Sequence, residues 1–189
     1  MDLGLLLLRL ALAAILYMHA TQKMFGWFSG PGLDRAEKLF HNLGQRPGRP
    51  MAMLAAACEA GGALLIAVGL VTPLGAAILA GTMAVAGGSL TMTKGTVWNA
   101  AGGGEYPFVL AGAAAALGFT GPGAWSLDAA IGAPWVPKSN AAALVIGAIV
   151  VVVAALAAAV ALLRTKSNLS AGATTAAGPA AEPPAATSA

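Results

Sequence analysis

The sequence predicts an all-α membrane protein: a polytopic bundle of four core helices, followed by a fifth transmembrane helix toward the C-terminus. Three observations predict it. Apolar residues make up 58% of the 189 positions and charged residues only 9%, against about 25% charged in an ordinary soluble domain. Five segments, 3–22, 51–71, 74–93, 106–121 and 141–163, approach the length of roughly 20 apolar residues that a membrane span needs. The charges that do occur cluster mostly between those segments, where they can reach water.

The first span begins at Met1-Asp2-Leu3 without the basic region of a secretory signal, so it is expected to stay as an anchor. A polar loop follows, with Leu33, Ala36, Leu39, Phe40 and Leu43 at helical spacing and Asp34, Arg35, Glu37, Lys38 and His41 on the other face. That pattern predicts a short helix at about 33–43, lying in the membrane interface. Phe25, Trp27 and Phe28 precede it as interfacial anchors.

Only Thr72 and Pro73 separate the second and third spans, which predicts a tight hairpin in which Thr72 caps the incoming helix. Pro50 and Pro107 open the second and fourth spans in the same way as Pro73 opens the third. Small residues four apart, Ala57 with Gly61 and Ala80 with Ala84 and Gly88, mark expected helix–helix contact faces. The fifth span holds nothing polar from Ala141 to Leu163 and stops at Arg164 and Lys166. Residues 167–189, rich in Ser, Thr, Ala, Gly and Pro, are expected to be a disordered tail. The domain boundaries are thus 1–138 for the four-helix bundle, 139–166 for the added helix and 167–189 for the tail.

Orientation follows from Lys and Arg. The first loop carries Lys23, Arg35, Lys38, Arg46 and Arg49, the third loop Lys94, and the C-terminal flank Arg164 and Lys166. With five spans all of these lie on one side, which the positive-inside rule makes cytoplasmic. The expected location is the bacterial inner membrane, crossed several times. The net charge of +3 is a topology signal and not the footprint of a nucleic-acid binder.

A charge at mid-bilayer costs about 2.5–3.5 kcal/mol on insertion scales, so each buried one needs a partner or a task. In the first span Arg9, His19 and Lys23 fall within roughly 80° of one another around the helix and form one polar stripe. His19 and Lys23 lie near the first-loop end, and Arg9 about 15 Å from His19. The second span runs antiparallel, so Glu59 reaches the level of His19. The third and fourth spans bring Lys94, Glu105 and Tyr106 to the same face, with Trp98 in the connecting loop.

His19 and Glu59 are therefore the candidate proton-handling residues, and Lys23, Lys94, Trp98, Glu105 and Tyr106 the candidate ligand-binding set. At the far end Arg9 and Asp128 are an expected structural ion pair, tying the loop after the fourth span to the bundle. Each residue also has a purely structural reading. Glu59 can neutralise Lys23, His19 can be a hydrogen-bonded core histidine, and Lys23 and Lys94 can extend to the interface.

Several chemistries are excluded. The single cysteine, Cys58, cannot run a dithiol relay and reads as a small apolar side chain. Haem ligation by two histidines fails because His41 lies in a loop, and no metal site is expected because the Cys and His set for zinc is missing. Gly102-Gly103-Gly104 is followed by Glu105 and lacks the Lys-Ser or Lys-Thr of a phosphate loop.

Five spaced elements resemble the DoxX/DoxD family of small bacterial integral membrane proteins. They are L-L-L-R-L ending at Leu10, H-A-T-Q-K from His19, C-E-A-G-G from Cys58, G-E-Y-P-F-V-L from Gly104 and G-P-G-A-W-S-L-D ending at Asp128. The resemblance runs from about residue 3 to 130; His19-Ala20 replaces a frequent His-Gly, and the fifth span lies beyond the family core. It implies a DoxX-like four-helix membrane bundle. It also implies a link to quinone-, thiosulfate- or thiol-linked redox chemistry and oxidative stress, with Arg9, His19, Lys23, Glu59, Glu105, Tyr106 and Asp128 at the family's polar positions.

The expected function is a membrane subunit or scaffold of a redox assembly. Its candidate cofactor is a quinone, with none bound covalently. Its surroundings are the lipid bilayer, and soluble redox enzymes docking at the basic first loop are the candidate partners. The alternatives are a small-solute carrier using the same cluster, which lacks the paired interrupted spans of inverted repeats, and an assembly factor with no ligand.

Overall fold

The computed structural model describes residues 2–177. Among them the fold is all helical, as expected: α1 (Asp2–Phe25), α2 (Gly32–Asn42), α3 (Gly48–Val68), α4 (Thr72–Lys94), a single 3-10 turn at Asn99–Ala101, α5 (Glu105–Thr120), α6 (Leu127–Ala130) and α7 (Asn140–Ala177). Four of these, α1, α3, α4 and α7, are long and apolar enough to cross a membrane. The amphipathic loop helix is α2, close to its expected bounds.

The fourth expected span is shorter than a bilayer. α5 has 16 residues, about 24 Å of helix against a hydrocarbon core of about 30 Å. It nevertheless runs between the two ends of the bundle, because its start is set inside. Gly104, just before α5, lies so close to Gly87 in α4 that a Cβ there would stand 2.1 Å from the Gly87 carbonyl oxygen. Only glycine permits that approach. The loop 95–104 therefore folds back over the end of α4.

α4 is the centre of the bundle, packed against α3, α5 and α7, and α1 pairs with α3. Its small residues make this possible: Gly81 meets Ala154, Gly87 meets Phe108 and Gly88 meets Leu162. Of the expected contact face, Ala80 is buried and Gly88 meets Leu162, while Ala84 is only half-buried. The one expected at Ala57 and Gly61 does not form, since both are exposed and nothing lies within 4 Å of a Cβ on Gly61.

α7 overturns one boundary. The helix does not stop near residue 166 but continues to Ala177. Contacts with the α2–α3 connection hold the extension: Asn168 donates to the Gly44 carbonyl oxygen at 2.9 Å, and Leu169 packs over Gly44. Of the expected tail, residues 178–189 lie outside the described residues.

The end opposite the candidate cluster is fastened by two buried charges that do not pair with each other, contrary to expectation. Arg9, 1% exposed, donates through Nε to Ile66 O at 2.9 Å and through Nη2 to Ala67 O at 3.0 Å. Its Nη1 donates to Pro122 O at 2.5 Å and Trp125 O at 3.0 Å. It thus serves carbonyls in the last turn of α3, where intrahelical partners run out and the Gly69 N–H reaches Ile66 O at 3.2 Å, and staples the 122–125 loop to them. Gly69 must lack a side chain here, since a Cβ would stand 2.9 Å from the Arg9 Cζ.

Asp128, fully buried, accepts from Val71 N and Thr72 N, both at 2.8 Å. This carboxylate, and not the Thr72 hydroxyl, caps α4; the Thr72 Oγ1 makes no hydrogen bond. It also holds Val71 in a left-handed conformation, φ 45°, which a β-branched residue resists. Burial pushes the Asp128 carboxyl up, but the Thr72 and Val71 N–H groups, with the Thr72 hydroxyl and Trp135 indole nearby, pull it down further. Neither of those two side chains completes a hydrogen bond; the backbone N–H groups of Val71 and Thr72 lower the Asp128 pKa.

The net direction is below the ordinary aspartate value of about 3.9. A carboxylate depressed on folding contributes stability above its unfolded pKa, and that contribution is lost as pH falls through about 4 and below. Asp128→Asn offers one oxygen to two N–H donors. It is expected to cost about 1–3 kcal/mol, read as a lower thermal midpoint in detergent, and to flatten the acid limb of the stability curve.

Candidate functional site

Toward the other end α3 and α4 diverge. They touch tightly where Gly62 meets Leu79 and Gly75 meets Leu65 and Ile66, and the space that opens beyond is a cavity of about 610 Å³. That size is within the range of about 300–1,000 Å³ usual for ligand sites. Its walls are mostly apolar side chains from α2, α3, α4, α5 and α7, and its polar groups gather at the end reached by α1.

The centre of those polar groups is an ion pair. Lys23 Nζ stands 2.5 Å from Glu59 Oε2, with the side chains 19% and 3% exposed respectively. Lys23 also donates to the His19 carbonyl oxygen at 3.3 Å. The His19 ring faces the Tyr106 ring across the gap between α1 and α5, centroids 6.0 Å apart and planes tilted by 58°. His19, Lys23, Glu59 and Tyr106 all line the cavity.

The helical stripe explains the arrangement. Arg9, His19 and Lys23 share the inward face of α1, and the antiparallel α3 brings Glu59 to the depth of Lys23. Residues 4–93 match the DoxX family model. That stretch is similar to the DoxX family. No curated protein and no solved structure matches it.

The DoxX segment carries His19, Lys23 and Glu59, whereas Tyr106 comes from α5, beyond it. The other candidates are not brought to the cavity. Lys94 is exposed, with its stem over Gly102. Trp98 is 64% exposed. Glu105 accepts from Asn99 N at 3.0 Å and so holds the 95–104 loop. No group of three or more His, Cys, Asp and Glu side chains among the described residues could hold a metal.

The structure adds residues that sequence reasoning passed over. Gln45 and Ser89 line the cavity, as do Asn99 of the 95–104 loop and Cys58, read from the sequence as a small apolar side chain and half-buried beside Glu59. Gln45 Nε2 donates to Ser89 Oγ at 2.8 Å and to Thr165 Oγ1 at 2.7 Å. Gln45 thus joins the α2–α3 connection to both α4 and α7. A lone amide in a loop, and a serine inside an apolar run, carry no signal of such a bridge.

Chemically, the site offers an ammonium and a carboxylate that can exchange a proton, an imidazole and phenol beside them, and a long apolar wall. That combination suits a lipophilic molecule with one polar end.

Proposed function

We propose that this DoxX-like membrane protein is a subunit or scaffold of a redox assembly that holds a quinone at the His19–Lys23–Glu59–Tyr106 end of the cavity. The observation that carries the reading is the Lys23–Glu59 pair closing one end of an otherwise apolar cavity. A quinone oxygen there can accept a hydrogen bond from Lys23, and reduction of the ring requires protons. In this reading Glu59 and His19 relay those protons, taking up one for each that they pass on.

Electrons come, in this reading, from a soluble redox enzyme docking at the exposed basic residues Arg35, Lys38 and Arg46, on the side that the positive-inside rule makes cytoplasmic. A small sulfur oxyanion fits the cavity less well. The lining cation is Lys23, already neutralised by Glu59, and Lys94 points elsewhere.

Mild-detergent purification of the intact chain, followed by mass spectrometry of bound proteins and extracted lipids, tests the proposal. Quinone or a redox enzyme recovered in stoichiometric amount is the expected result. A ligand-free chain that takes up solute in vesicles would replace this reading with a carrier.

A further inference from the structure

The cavity does not end at its polar groups. α3 and α7 flank α4 without packing on each other, and the cavity continues along the seam between them. One stripe of α4, from Leu74 through Ile78, Thr82 and Val85 to Ser89, forms its floor, about 22 Å of helix. Leu54, Leu74 and Val153 line the seam and are each more than half exposed, at 55%, 51% and 51%. The seam therefore opens sideways, where a membrane protein of this topology meets hydrocarbon.

Its other limit is different in kind. Beside Ser89 the seam is crossed by the Gln45 bridge to Thr165, and the Asn168–Gly44 hydrogen bond lies just beyond. A groove that is apolar, open to lipid along its length, barred at one end and continuous with a buried ion pair matches one kind of occupant.

We propose that the α3–α7 seam holds the hydrocarbon tail of a membrane-dissolved amphiphile whose polar head lies at Lys23–Glu59, and that the molecule enters sideways from the bilayer. The proposal rests on the head-group reading above and adds the ligand class: a chain-bearing lipid, not a water-soluble solute. α7, which lies outside the matched family segment, supplies one wall of the tail groove through Val153, Ala157 and Ala161.

The test uses the full chain in lipid nanodiscs and an alkyl quinone with a diazirine at the tip of its tail. After illumination, adducts are mapped by peptide mass spectrometry. The expected result is labelling of the seam walls, 78–85 on α4 and 153–161 on α7, suppressed by excess untagged alkyl quinone. Ala157→Trp fills the groove from an exposed position and is expected to lower seam adducts roughly tenfold or more. Val153→Trp serves the same purpose should the first variant fold poorly.

Tail adducts confined to outer positions such as Val145 and Val152, with quinone still recovered on purification, would overturn the seam and leave the quinone reading standing. Seam labelling that untagged alkyl quinone cannot suppress, or that both tryptophan variants leave unchanged, would also overturn it as ordinary lipid contact. A tagged fatty acid that labels the seam, is suppressed by any chain amphiphile and gains nothing from a quinone head supports the tail groove while removing the quinone.

Discussion

Arg9→Met should abolish recovery of folded protein. The guanidinium is shared among four backbone carbonyls, those of Ile66, Ala67, Pro122 and Trp125. Methionine fills similar volume and satisfies none of them. The Ile66 carbonyl keeps the Gly69 N–H at 3.2 Å, but the other three lose their donor at about 1–3 kcal/mol each, a large share of the stability of a domain, about 5–15 kcal/mol. Arg9→Lys should recover little, because an ammonium has three donors and no planar fork to span carbonyls from two segments. Monodisperse yield and thermal midpoint in detergent are the readouts. A normal midpoint for Arg9→Met would mean that the loop at 122–125 is held by something else.

The second large effect separates function from stability at the ion pair. In Glu59→Gln the carboxylate disappears, and Lys23, with its side chain 19% exposed, can extend its ammonium toward the interface. Folded yield should survive. Quinone retention should fall by about tenfold to a hundredfold, the scale of one lost charge-assisted hydrogen bond.

Lys23→Met leaves the Glu59 side chain, 3% exposed, as an unpaired buried charge. Breaking a buried pair in that way costs about 3–5 kcal/mol, so this variant should be the unstable one. Lys23→Met combined with Glu59→Gln should restore the fold and not the quinone. If Glu59→Gln instead destroys abundance, the pair is structural and the redox reading loses its support.

Rarity made part of the site legible in the sequence. Charges within apolar runs are so few that Arg9, His19, Lys23 and Glu59 could be placed by helical angle and depth alone, and three of them do meet at one site. The Arg9–Asp128 pairing was misjudged because a sequence displays side-chain charges and hides the backbone. Here the carbonyls ending α3 and the N–H groups opening α4 outcompete the opposite charge. The cavity wall from α7 was illegible for the opposite reason: a continuous Ala and Val run gives no angular preference, so the face it turns inward is set by the small residues of α4. Gln45 was missed because its partners, Ser89 and Thr165, come together only once α4 and α7 are packed.

The shortness of α5 has a consequence for the surrounding lipid. One flank of the molecule offers a hydrocarbon-matching height of about 24 Å, while α7, packed beside α5, continues as unbroken helix for 38 residues. A bilayer cannot match both heights at once, so lipid beside α5 must thin or its acyl chains must tilt. Deformed lipid carries a free-energy cost that neighbouring proteins can relieve by covering it. The α5 flank is accordingly where mismatch alone would favour lateral association, before any specific contact is formed.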